Sequence, residues 1–286
     1  MPGHRTKERE STMDLKTLRE TPPWDWPEGT GKGLGDILRD READGGERLL
    51  AAELAGDFTV IDDTLVGTLL SILRRADESE SLRSRAAISL GPALEHADTE
   101  GFEEPDEVPI SERTFREVRE ALQTLFRDAD APQEVRRRIL EASVRAPEVW
   151  HRDAIRAAYA SGDEDWTLTA VFCMRFVSGF EREIVATLES ENPDVHYEAV
   201  CAAGVWSVDA AWPHVATLVS AEEVDKPLRL AAIDAVASIR PEDAGEVLGD
   251  LLDSTDEDIV EAVHEALALA EGALDEDEEE DDERQG

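Results

Sequence analysis

Lysine is almost missing from this chain of 286 residues: there are four, Lys7, Lys16, Lys32 and Lys226. All basic residues together number 29, against 68 Asp and Glu, for a formal net charge of −39. Binding to a phosphate backbone or to anionic lipid rests on basic contacts, so this balance argues against nucleic acid and against a membrane surface. It suits a solvated acidic surface or a protein partner with a basic surface. Few lysines with many acids fits a salt-adapted cytoplasm, and a GC-rich genome favours Arg over Lys in the same way. Cysteine is as scarce, with only Cys173 and Cys201. Two cysteines make no disulfide framework, and both lie among apolar residues, so buried free thiols of a reducing compartment are expected. Apolar runs long enough to span a membrane are absent, as is a secretory leader in the first forty residues. A cytoplasmic protein is expected.

Alternation of period two is also absent over any useful length, which removes the signal for strands. What the chain has instead is self-similarity. The stretch NPDVHYEAVCAAG (192–204), anchored at Val195, has relatives anchored at Glu47, Leu82, Val135, Trp166, Leu228 and Ile259. Successive anchors are 35, 53, 31, 29, 33 and 31 residues apart, so one spacing carries an insertion. Three residues before the anchors stand Asp44, Ser79, Asp163, Asn192, Asp225 and Asp256, with Pro132 as the exception. These are helix N-caps, whose side-chain oxygens accept from the free N–H groups of the first turn. Four residues after the anchors come Ala51, Ala86, Ala170, Ala199 and Ala232, with Ile139 and Val263 as larger variants. Small residues there let helices approach closely. Eleven after the anchors, Phe58, Val177, Trp206 and Ile239 are expected on the anchor's own face. Each repeat is thus predicted to carry an inner helix.

The segments before them, such as DTLVGTLLSILRRA (63–76) and TFREVREALQTLF (114–126), space apolar residues by three and four and read as amphipathic outer helices. Seven such hairpins resemble the HEAT repeat family, in its short bacterial form with a VRxxAxxALG-like inner helix; LRSRAAISLG (82–91) matches most fully. Arg48, Arg83, Arg136 and Arg229 keep the basic residue after the anchor, whereas Thr167, His196 and Val260 depart from it. The resemblance implies an all-α fold, a right-handed α-solenoid over residues 34–272. Around it the expected organisation is a flexible N-terminal arm at 1–33, bearing Trp24 and Trp26, an acidic loop at 95–110, and a disordered acidic tail at 273–286. The two tryptophans serve either as a docking arm or as a cover for the open end of the first repeat.

Catalytic chemistry finds little support. His196, Glu198 and Cys201 are ligand types, but a helix turns 100° per residue, placing His196 and Glu198 about 160° apart. They cannot hold one ion. Deoxyhypusine hydroxylases, a family of similar repeats, bind two irons through His-Glu pairs at the second and third positions after the anchor. Here those positions read Leu49-Leu50, Ser84-Arg85, Arg137-Arg138, Leu168-Thr169, Tyr197-Glu198, Leu230-Ala231 and Glu261-Ala262. His264-Glu265 is out of register and has no mate. Phycobilin lyases share the scaffold alone. GTGKG (29–33) lacks the Ser or Thr of a P-loop and follows no strand. No metal, cofactor or catalytic residue is therefore predicted.

Recognition remains. The second and sixth residues after the anchors share the side opposite them. Toward the ends of the array they are charged: Glu53, Arg137, Glu141, Glu261 and Glu265. In the middle they are Leu168, Phe172, Tyr197, Cys201 and Leu230. Leu168, Phe172, Tyr197 and Leu230 are the predicted centre of a concave surface that binds a protein partner. The reading is a non-catalytic scaffold or adaptor; its alternative is an enzyme or enzyme subunit using the same face. The patterns carry no signal about oligomeric state.

Overall fold

The computed structural model describes residues 14–104, 108–221 and 223–285, with side chains as far as residue 273. Among them there is no strand, and the helices form two compact units, Met1–Ala146 and Pro147–Gly286. In the first unit these are α1 (Leu15–Glu20), α2 (Thr30–Arg39), α3 (Gly45–Leu54), α4 (Asp63–Arg74), α5 (Glu80–Ile88), α6 (Gly91–Glu100), α7 (Glu112–Phe126) and α8 (Gln133–Ser143). In the second they are α9 (Val149–Tyr159), α10 (Glu164–Met174), α11 (Glu181–Thr187), α12 (Pro193–Val205), α13 (Trp212–Ser220), α14 (Lys226–Ile239), α15 (Pro241–Leu248) and α16 (Glu257–Gln285).

Each unit is two layers. In the first, α3, α5 and α8 pack in series as the inner layer, backed by α2, α4 and α7. In the second, α10, α12, α14 and α16 form the inner series, each backed by the helix that precedes it in the chain. All seven expected inner helices are present, one to a hairpin. The caps act as the spacing predicts: Asp44, Ser79, Asp163 and Asn192 each accept from backbone N–H groups of their own first turn. Asp225 occupies its cap position without a side-chain bond, and Asp256 accepts from the Asp258 N–H at 3.1 Å. The small-residue column is fully buried at every member, from Ala51 to Val263. Glycine makes a second contribution nine residues after the anchor. A Cβ on Gly56 would come 2.9 Å from Ser89 of the next repeat, and one on Gly204 would come 3.0 Å from Ala235 of α14. Without side chains there, successive inner helices meet backbone to backbone.

The recurring arginine has a structural role. Arg83 Nε donates to the Leu73 carbonyl and Arg136 Nε to the Phe126 carbonyl, each at 3.0 Å. Arg48 Nη2 reaches Leu38 O at 3.0 Å, and Arg229 bonds Ala221 O. In all four repeats the guanidinium therefore satisfies a carbonyl at or just beyond the C-terminal end of the preceding outer helix, where no intrahelical donor remains. Charge and dipole agree, since a cation is favoured at that end.

Several expectations need correction. Residues 14–33 are not a loose arm: Leu15 and Leu18 of α1 are buried, and α1 packs on α3. Trp26 is half-buried and its Nε1 donates to Leu18 O and Thr21 O, both at 2.9 Å, so this tryptophan fastens α1 to the start of the first hairpin. Trp24 stays 78% exposed. Part of the acidic loop is α6, an extra helix that accounts for the long spacing and buries Ala93, Leu94 and Ala97. Phe58, Val177 and Trp206 do not share the anchor's face, because the inner helices end before them; Phe58 and Trp206 are exposed. The anchor Glu47 is exposed as well. Residues 273–285, expected to be disordered, are the last part of α16, while residues 1–13 of the arm lie outside the described residues.

Candidate functional site

The four predicted contact residues lie on one side of the inner layer of the second unit. Leu168 and Phe172 are one turn apart on α10, Tyr197 is in the first turn and a half of α12, and Leu230 is on α14. All four are half-buried, neither in the core nor fully open. The chain folds this way because the anchors and the fully buried Ala170, Ala199 and Ala232 define the inward side of each helix, which leaves the second and sixth positions on the other.

Polar contacts bind part of this strip together. Arg175 at the end of α10 pairs with Glu198 of α12, Nη1 to Oε2, at 3.2 Å. Its guanidinium carbon lies 5.8 Å from the centre of the Phe172 ring, and the Phe172 and Phe176 rings are 5.4 Å apart and tilted. Tyr197 and Cys201 stand one helical turn apart on α12 and act on each other electrostatically. Asp234 of α14 acts electrostatically on Cys201 and stands one turn beyond Leu230. Arg175 thus links Phe172 of α10 to Glu198 of α12, and both charges act electrostatically on Tyr197 and Cys201.

Burial and the neighbouring charges hold the titratable groups of the strip in their neutral forms. Burial raises the Cys201 thiol above its ordinary pKa, opposed by Arg175 and reinforced by Glu198. Cys201 first, then burial, raises the Tyr197 phenol. Both stay protonated at pH 7, the reverse of an activated nucleophile or a general base. The cysteine expectation is corrected on one point: Cys173 is buried, but Cys201 is only half-buried and has charged neighbours.

The ligand-type residues of α12 point apart, as the helical angles require. Glu198 faces Arg175, and His196 Nε2 lies 2.8 Å from Nε2 of His214 on α13. The pairing of two histidines eighteen residues apart had no signal in the sequence. Burial lowers the pKa of both, with His214 adding to the effect on His196. Among the described residues no group of three or more His, Cys, Asp or Glu converges on a point where an ion could sit. The charged ends of the expected strip also differ from prediction. Arg137 and Glu141 are buried, in a cluster where Arg137 and Arg138 both bind Glu134 at 2.7 Å and Arg138 binds Glu141 at 2.6 Å. Glu53, Glu261 and Glu265 are exposed.

These layers of helical hairpins make the protein an all-α solenoid. No helix among the described residues is long and apolar enough to cross a membrane. No family model matches the chain, and no curated protein matches it in sequence. Among solved structures it is similar to YibA of E. coli, at 14% identity over 90% of this chain and 87% of that one, with a TM-score of 0.49. Human deoxyhypusine hydroxylase in complex with glycerol is similar at 18% identity over 90% and 88%, TM-score 0.40. An engineered protein is similar at 19% identity over 86% and 98%, TM-score 0.36. No residue role is carried over from any of them.

Proposed function

We propose that this chain is a non-catalytic scaffold or adaptor of HEAT type, acting in the cytoplasm, that binds a protein partner on the free side of its inner helices. The observation that carries this reading is the half-buried strip of Leu168, Phe172, Tyr197 and Leu230 on three successive inner helices. Side chains of this kind, partly covered and bordered by charge, are the material of binding hot spots. The surrounding charges select the partner: Glu198 and Asp234 adjoin the strip and the chain as a whole carries −39, so a segment with apolar residues set among Lys and Arg is complementary. Binding is favoured over catalysis because the Tyr197 phenol and the Cys201 thiol are held in their protonated forms, and no inner helix holds a His-Glu pair in the register of the iron-binding repeats.

The test is substitution with two readouts. Phe172→Ala and Tyr197→Ala, with the exposed Val149→Ser as control, are used as bait to capture the partner from host extract, and each variant is melted. Truncating a fully buried Phe costs about 3–5 kcal/mol, so these half-buried side chains are expected to cost about half of that or less. Capture lost in both variants but kept in the control, with the chain still folded, supports the reading. Capture unchanged in both variants refutes it.

A further inference from the structure

The free side of the second unit's inner layer changes character along its length. The second and sixth residues after the anchors are Leu168 and Phe172 on α10, Tyr197 and Cys201 on α12, Leu230 and Asp234 on α14, and Glu261 and Glu265 on α16. From Leu168 to Leu230 they are half-buried, and the last three are exposed carboxylates. Beside the apolar part the nearest acid is already neutralised, because Arg175 pairs with Glu198. Toward α16 the acids are left open: among the described residues, Asp234, Glu261 and Glu265 have no ion-pair partner. The basic residues of α14 are committed elsewhere, Lys226 to Asp256 and Asp258, and Arg229 to the Ala221 carbonyl.

Spacing limits what can lie across this layer. Packed helices stand about 8–10 Å apart, and Gly204, whose absent Cβ would come 3.0 Å from Ala235, holds α12 and α14 at close approach. A segment crossing the layer meets a new helix at that interval. A β-strand returns to the same face about every 6.7 Å and an α-helix about every 5.4 Å, so neither keeps step. A polyproline II segment returns every third residue, at about 9.3 Å, and does keep step. Its preformed backbone also loses little freedom on binding.

We infer that the partner contacts this layer through a polyproline II segment in which two apolar side chains, over α10 and α12, adjoin two basic ones, over α14 and α16, at every third residue. This rests on the partner-binding reading above and adds conformation, spacing and order to it. The apolar half supplies contact area against Leu168, Phe172 and Tyr197, and the basic half meets Asp234, Glu261 and Glu265. Leu230, one turn from Asp234, packs on the aliphatic stem of the basic residue above it. A segment that mixes the two kinds at the same spacing sets a charge on the apolar half and leaves a carboxylate unanswered, so order discriminates between partners.

The test titrates the full chain by calorimetry with proline-rich decapeptides, acetylated and amidated. In the first, leucine, phenylalanine, arginine and arginine stand in that order at every third position. The second reverses the order, since the layer sets order but not chain direction, and in the third apolar and basic residues alternate. One of the two block peptides is expected to bind saturably, about fivefold or more tighter than the alternating one, with an affinity that falls as salt rises. The variant Asp234→Asn/Glu261→Gln/Glu265→Gln should weaken that peptide by about fivefold or more, the combined size of three exposed ion pairs, and flatten the salt dependence while melting like the parent. Phe172→Ala should weaken it as well. The inference is overturned if neither block peptide binds, if the alternating peptide binds as tightly, or if either variant binds like the parent. Such a failure with host capture still dependent on Phe172 and Tyr197 removes the segment alone; capture independent of both removes the partner-binding reading itself.

Discussion

Arg48 and Glu78 form a bidentate pair, Nη1 to Oε2 at 2.7 Å and Nη2 to Oε1 at 2.9 Å, with side chains 8% and 5% exposed. The same guanidinium bonds Leu38 O at the end of α2, so one side chain joins α2, α3 and the residue before the cap of α5. Breaking such a pair leaves a buried charge without its counterion, which costs about 3–5 kcal/mol, whereas replacing both members by apolar residues of similar volume is often neutral. At roughly 2–4 °C per kcal/mol, Arg48→Met or Glu78→Gln alone should lower the melting temperature by about 6–20 °C. The double variant Arg48→Met/Glu78→Leu should recover only part of that loss, because the Leu38 carbonyl still lacks its donor. Acidity should reproduce the single defect. The bond to Arg48 holds the Glu78 carboxyl below its ordinary pKa of 4.5. The pair's contribution is therefore complete above that value and is lost as pH falls through the folded-state value. Thermal melts of the four proteins at neutral pH, and of parent and Glu78→Gln across the acid range, make the comparison. Single variants that melt with the parent, or a double variant as damaged as the sum of the singles, would refute the reasoning.

Arg83→Met should cost about 1.5–3 kcal/mol in denaturant unfolding, because it strands the Leu73 carbonyl that only a buried charged donor reaches. A loss under about 0.5 kcal/mol would deny the arginine its capping role. For the facing histidines, burial depresses both folded-state values below 6.5. Their contribution is complete above 6.5 and is lost as pH falls toward the folded-state values, with Glu189 acting on His214 in the opposite sense. His214→Gln should therefore flatten the decline in melting temperature between about pH 7 and pH 5; an unchanged slope would count against a half-buried neutral pair.

Helix content, the alternation of inner and outer helices, and the starts of the inner ones were legible in the sequence, because each depends on residues within one or two turns. An Asp, Ser or Asn three residues before an anchor caps its own helix, and apolar spacing of three and four names the buried side without any knowledge of the neighbour. The fully buried column from Ala51 to Val263 could be read for the same reason: its period is the helix's own. Other features needed the packed molecule. α6 passed for a loop because its small buried face, Ala93, Leu94 and Ala97, counts as a helical stripe only when α7 and α8 lie beside it. Phe58, Val177 and Trp206 were misplaced by extending a period past helix ends that the sequence does not mark. The four-residue strip was predicted, but its partial burial and the Arg175–Glu198 link depend on how closely α10 and α12 approach. The pairing of Arg48 with Glu78 and the facing of His196 and His214 join positions in different hairpins. Periodicity places a residue on one side of its own helix; only tertiary contact decides what stands opposite.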